Sequence, residues 1–193
     1  MKNYKDFLNH QNMNSIPEIT QADIKQYVLE RFEEIKENSS MDDIIKFHSR
    51  NKYLLMAYNQ EKLKILGNIV ANHQKKKIRD LILDYENHLK VILEKTPTVK
   101  THINVLMHIF GFFGKYFNKI QKKEFLDLIK EYREGRITLG RILCLIEPIT
   151  YQINTTYLVS QTYFLLYAES VINNFDEIAP QTFNLKKEMH GYE

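Results

Sequence analysis

Apolar residues recur along most of this chain at steps of three and four, and alternation over several residues is hard to find, which is the signature of helices with one buried face. Thr20 is placed to cap a first helix carrying Ile24, Tyr27, Val28 and Ile35 on one face. A second helix should start after Ser40, whose hydroxyl can cap it and whose first turn holds Asp42 and Asp43, the sign that suits a helix N-terminus. Gln60 to Asn72 predicts a third helix, and Lys76 to Lys95 a fourth with Ile78, Leu81, Ile82, Tyr85, Leu89 and Ile92 inward, closed by Pro97. A fifth is expected over Thr98 to Asn118 and a sixth over Gln121 to Glu134, with Gly135 placed to stop it. Leu139 to Ile153 and Thr156 to Phe175 complete the set, with Pro148 expected to kink or split the first of these. The fold class that follows is all-α, a single globular bundle of about seven or eight helices.

The chain has 193 residues, enough for one domain with a sizeable core, and its 44% hydrophobic and 12% aromatic content suits a soluble globule. The expected organisation is a flexible arm at 1–18, the helical domain at 19–175 and a polar tail at 176–193. The opening MKNYKDFLNHQN lacks the apolar stretch of a signal peptide, and no run of about 18 apolar residues is present, so a cytoplasmic protein with no membrane partner is expected. The single cysteine, Cys144, excludes an intrachain disulfide, a Cys-x-x-Cys zinc site and a conventional iron–sulfur cluster built by this chain alone.

The net charge of +3 is unevenly spread. Lys46 to Arg141 holds 20 Lys and Arg against 9 Asp and Glu, a local charge of +11, while residues 1–45 and 142–193 carry −4 each. Clustered cations release counterions from phosphates and steer polyanions, so the middle of the chain points to a polyanionic partner unless the acidic flanks fold over it.

Candidate chemistry concentrates in FHSRNKYLLMAY, Phe47 to Tyr58. Ile44, His48, Asn51 and Leu55 lie on one helical stripe while Ser49 and Lys52 turn to another side, which places His48 at a buried edge beside solvent-facing cations. The plainer reading, equally open from the residues alone, is a histidine that bonds a neighbouring helix beside cations that only solvate a surface. In the fifth helix Asn104, His108, Gly111 and Lys115 share a polar stripe, and Gly111, costing about 1 kcal/mol relative to alanine, is expected to admit a second helix closely in preference to a ligand. His102 and His108 fall on opposite sides of that helix. The chain has no HExxH, no Gly-rich phosphate loop and no nucleophile elbow, so no catalytic residue, metal or cofactor is assigned.

The same stretch resembles the first signature block of the YbgA-like family of small helical domains. HINVLMHIFGFF at His102 to Phe113, EYREGRITL at Glu131 to Leu139 and YLVSQTYF at Tyr157 to Phe164 are similar to its other three blocks, in the same order, so the likeness runs from about Asp42 to about Ile172. Members occur alone or joined behind an iron–sulfur domain that removes sulfur from thiolated uracil or from thiouridine in transfer RNA. The resemblance therefore implies a role in holding RNA, with any sulfur-removing chemistry belonging to a separate cysteine-bearing enzyme.

The family's polar positions fall here on His48, Arg50, Lys52 and Tyr53, then His102, Asn104 and His108, then Tyr132, Arg133 and Gly135, and finally Tyr157, Gln161 and Tyr163. Asn51 stands where a second histidine is usual and Met107 where glutamine is common, changes that remove titratable or polar groups but leave phosphate binding untouched; the early proline expected in RITLGRILCLIEPITYQ is also missing. The nucleic-acid candidates are His48, Arg50, Lys52, Tyr53, Asn104, His108, Lys115 and Arg133, the cations for phosphate and His48, Tyr53 and His108 to shape or stack on the RNA. Gln161 and Tyr163 are expected in a hydrogen-bonded layer between packed helices. The expected function is an RNA-binding accessory domain, for transfer RNA, serving a desulfidase or other RNA-modifying enzyme. A helical protein adaptor and a histidine–carboxylate enzyme with a small-molecule pocket stand as alternatives.

Overall fold

The computed structural model describes residues 19–36, 40–152 and 156–168. Within them the chain forms α1 (Gln21–Lys36), α2 (Met41–Ala71), α3 (Ile78–Leu93), α4 (Val99–Phe113), α5 (Lys119–Arg133), α6 (Leu139–Gln152), α7 (Thr156–Val159) and α8 (Thr162–Tyr167), and no strand occurs among the described residues. The all-α bundle read from the sequence is the fold observed. The arm at 1–18 and the tail at 176–193 lie outside the described residues.

Local chemistry sets the helix ends. Ser40 caps α2 through a reciprocal box in which its hydroxyl accepts from the Asp43 amide at 3.2 Å and the Asp43 carboxylate accepts from the Ser40 amide at 3.1 Å. Asn59 then breaks α2 with an extended backbone (φ −164°, ψ 106°), and its side-chain oxygen accepts from the Lys62 amide at 3.0 Å, capping a new helical run. A straight helix would hold His48 and Gly67 about 28 Å apart at 1.5 Å per residue. A Cβ at Gly67 would instead lie 3.7 Å from His48 Nε2, so the arms 41–58 and 60–71 fold back on each other, matching the two separate helices expected there.

Aromatic side chains join the helices. Phe32 of α1 stacks on Tyr85 of α3 at 5.4 Å, and both rings meet the edge of Phe47 from α2. At the other side Phe110 of α4 stacks on Phe125 of α5 at 4.5 Å, with Phe113 and Phe117 packed beside them. Such pairs add about 0.5–1.5 kcal/mol each beyond the area they bury.

Three boundaries differ from the sequence reading. The fifth helix stops at Phe113, because Asn118, expected to end it, instead caps α5 by accepting from the Gln121 amide at 2.9 Å. Helix α6 continues through Pro148 without splitting; Ile142, Leu143, Ile146 and Ile149 on both sides of the proline are buried, and that packing outweighs the lost backbone bond. The long last helix expected over Thr156 to Phe175 is, up to residue 168, two short ones, α7 and α8, separated at Gln161, whose backbone is extended (φ −73°, ψ 129°); its stretch at 169–175 lies outside the described residues. Gly135, with φ +73°, ends α5 as expected and accounts for glycine at that position.

Candidate nucleic-acid interface

The first arm of α2 carries the densest group of candidate residues, and its side chains divide by face. His48 points inward: its Nδ1 lies 3.1 Å from the hydroxyl of Tyr85, which is fully buried. Burial, helped by the Lys52 ammonium, lowers the imidazole pKa to about 4. His102 on α4 repeats the arrangement, with Nδ1 2.8 Å from the hydroxyl of the buried Tyr163, the ring of Tyr167 against its edge, and burial holding its pKa at about 4. A buried phenol must donate its proton, and the imidazole nitrogen is the acceptor in reach, which puts the hydrogen of each neutral ring on Nε2. Both histidines are therefore uncharged at neutral pH. Among the described residues no carboxylate bonds His48, His102 or His108; their partners are Tyr85, Tyr163 and Gln60.

Tyr53 is 2% exposed and lies edge-on to Phe112 and Tyr157, both at 6.3 Å. It is a core residue and offers no free face to a base, contrary to the stacking role expected of it. The aromatic surface beside it is instead Phe112, 38% exposed and stacked on Tyr157 at 5.6 Å. Phe112 was missed in the sequence because its neighbours Ile109 and Phe113 made the whole apolar run look like core.

Gln161 and Tyr163 form the hydrogen-bonded layer that was expected. The Gln161 carboxamide, 1% exposed, donates to the Ser49 carbonyl at 2.9 Å and accepts from the Tyr53 amide at 3.4 Å, so one side chain reads an i, i+4 backbone pair of α2. The Ser49 side chain lies close enough to the Tyr157 hydroxyl to offset part of the rise that burial gives its pKa. Tyr58 donates to Gln21 at 2.9 Å and Gln21 donates to Tyr167 at 3.3 Å, tying α1, α2 and α8 together. The fourth sequence block thus contacts the first through Gln161 and Tyr157 and the second through Tyr163 and Tyr157. Tyr132 of the third block, half-buried, lies close enough for its charge state to act on Tyr163.

The remaining candidates are on the surface. Gln60, at the turn of α2, accepts from Asn104 at 3.2 Å and contacts His108 Nε2 at 3.5 Å, which fixes the polar stripe of α4 beside α2. Gly111 continues that stripe, but a Cβ there would meet nothing within 4 Å. The close helix expected at Gly111 is absent among the described residues, and the glycine faces open space. Lys115 follows one turn later, with Nζ 4.9 Å from the centre of the Tyr116 ring.

Arg50, Lys52, Lys115 and Arg133 are exposed and make no ion pair among the described residues, a property they share with Lys64, Lys75, Lys77, Arg79, Lys95, Lys100, Lys119, Lys122 and Lys130, whereas Lys46, Lys76, Lys90, Lys123 and Arg136 are each paired with a carboxylate. The four candidates do not converge. Arg50 is about 200° around the helix from Lys52 and acts on Tyr27 of α1. Arg133 lines an open cavity of about 410 Å³ with Val99, Lys100 and Ile103, at the opposite end of α4 from Lys115. Lys115 lies three residues after Phe112, beside the seam between α2 and α4, while Lys52 is one turn after His48 and acts on its imidazole.

The family described as "Protein of unknown function (DUF1722)" matches residues 52–168. The chain is also 29% identical over 152 residues to "Uncharacterized protein YbgA" of Escherichia coli (strain K12), covering 78% of this chain and 89% of that one. No solved structure matches.

Proposed function

The chain belongs to the DUF1722 family, and from that premise we propose that it is a cytoplasmic accessory module that holds RNA, transfer RNA in particular, for a separately encoded desulfidase or other RNA-modifying enzyme. The observation that carries the reading is the number of exposed cations that make no ion pair among the described residues, Arg50, Lys52, Lys115 and Arg133 among them, within a stretch of charge +11. Phosphate contacts need such cations, because a lysine already held by a neighbouring carboxylate has less to gain from a phosphate. The resemblance of the four sequence blocks to domains joined to sulfur-removing enzymes supports the choice of transfer RNA. In this role the inward-facing motif residues, the partly buried His48 and the buried Tyr53, His102, Gln161 and Tyr163, keep the surface in shape without touching the ligand.

A binding titration with bulk transfer RNA, with duplex DNA as comparison, tests the proposal. Binding that prefers transfer RNA and weakens with salt supports it. Absence of binding at low salt rejects it and favours a helical adaptor, for which the exposed Ile120 and Leu126 on α5 would supply apolar contact.

A further inference from the structure

We propose that the seam between α2 and α4 is a stacking site for an unpaired nucleotide, an inference that rests on the RNA-holding role above and adds which part of the RNA is recognised. Phe112 is an aromatic ring on a helix surface, 38% exposed, with Tyr157 stacked against it and the edge of Tyr53 behind. That backing fixes the ring, so a base can stack on it with little further loss of side-chain freedom.

Gly111 precedes it in the last turn of α4, exposed, with nothing within 4 Å of where a side chain would begin. No packing among the described residues offsets its helix-propensity cost, and the open space lets a sugar–phosphate approach the helix backbone beside the ring. Charge lies close by: Lys115, two residues beyond the end of α4, is unpaired among the described residues and sits over Tyr116, which is 50% exposed and gives a second flat surface. Gln60, held between Asn104 and His108, closes the other end of the stripe with amide groups able to bond a base edge.

A fully paired duplex hides its base faces, whereas a loop, bulge or single strand presents them. The site accordingly selects RNA with unpaired nucleotides over paired RNA of the same charge. A protein partner on this seam would be recognised by side-chain shape and would show no such preference.

The test compares an RNA hairpin with an unpaired loop and a blunt RNA duplex carrying the same number of phosphates, using the full chain and the variants Phe112→Leu, Phe112→Tyr and Gly111→Leu, each checked by thermal melting. The wild type is expected to prefer the hairpin about tenfold, the order expected for one stacked base. Phe112→Leu and Gly111→Leu should abolish the preference, and Phe112→Tyr, which keeps a flat ring, should retain it. Equal binding of hairpin and duplex by the wild type, or an unchanged preference in folded Phe112→Leu, overturns the stacking site while leaving RNA holding intact. Failure of every RNA to bind overturns both.

Discussion

His102 and Tyr163 share a 2.8 Å hydrogen bond inside the core, joining α4 to α8 through a neutral imidazole. His102 is 7% exposed, and both it and His48 have pKa values of about 4 in the folded chain against 6.5 for a free imidazole. The unfolded chain binds more protons between those values, so stability is fully present above pH 6.5 and is lost as the pH falls toward 4. At pH 5 each histidine should cost about 2 kcal/mol relative to pH 7.5. Urea unfolding at both pH values measures this, and His102→Gln should remove about half of the effect. A variant that keeps the whole pH dependence would place its origin elsewhere.

Gln161 should be among the least replaceable residues. Its carboxamide both donates and accepts, toward the Ser49 carbonyl and the Tyr53 amide, in a site closed to water. Gln161→Leu removes both bonds, although the Ser49 carbonyl and the Tyr53 amide keep their bond to each other within α2, and should destabilise by about 1–2 kcal/mol. Gln161→Glu should be at least as harmful at neutral pH, since a carboxylate cannot donate to Ser49, and denaturant midpoints of the two variants decide it.

The turn of α2 depends on a shorter interaction. Asn59→Ala removes the cap on Lys62 and should lower stability by about 1 kcal/mol, while Asn59→Asp, which keeps an acceptor, should lose much less. Equal losses in the two would show that the fold-back is set by packing alone.

Two glycines should respond in opposite directions. Gly111→Ala adds a methyl group in open space in the last turn of α4 and should raise stability by about 0.5 kcal/mol. Gly135→Ala forces a side chain into φ +73° and should lower it by about 1 kcal/mol. Thermal melts of the two single variants check both signs.

How far the sequence predicted these arrangements depended on the range of the interaction. The caps at Ser40 and the stop at Gly135 are set within a few residues and were legible, as was the inward face of α3. Asn118 was assigned to the wrong helix because its role depends on which neighbouring run it caps, and Gln161 broke a predicted helix because its side chain serves a backbone 108 positions away. Arg50 and Lys52 read as one basic pair although helical geometry separates them by more than half a turn. Tyr53 and Phe112 exchanged roles for a similar reason: both lie in mixed aromatic runs, and only the packing of Tyr157 between α2 and α4 decides which ring is covered.

The salt dependence of transfer RNA affinity, compared between wild type and the Lys52→Ala/Lys115→Ala double variant, tests the central claim most directly. The wild-type logarithm of affinity should fall linearly with that of salt concentration, and the double variant should bind more weakly with a slope shallower by about two. A folded double variant with the same affinity and the same slope would contradict the account.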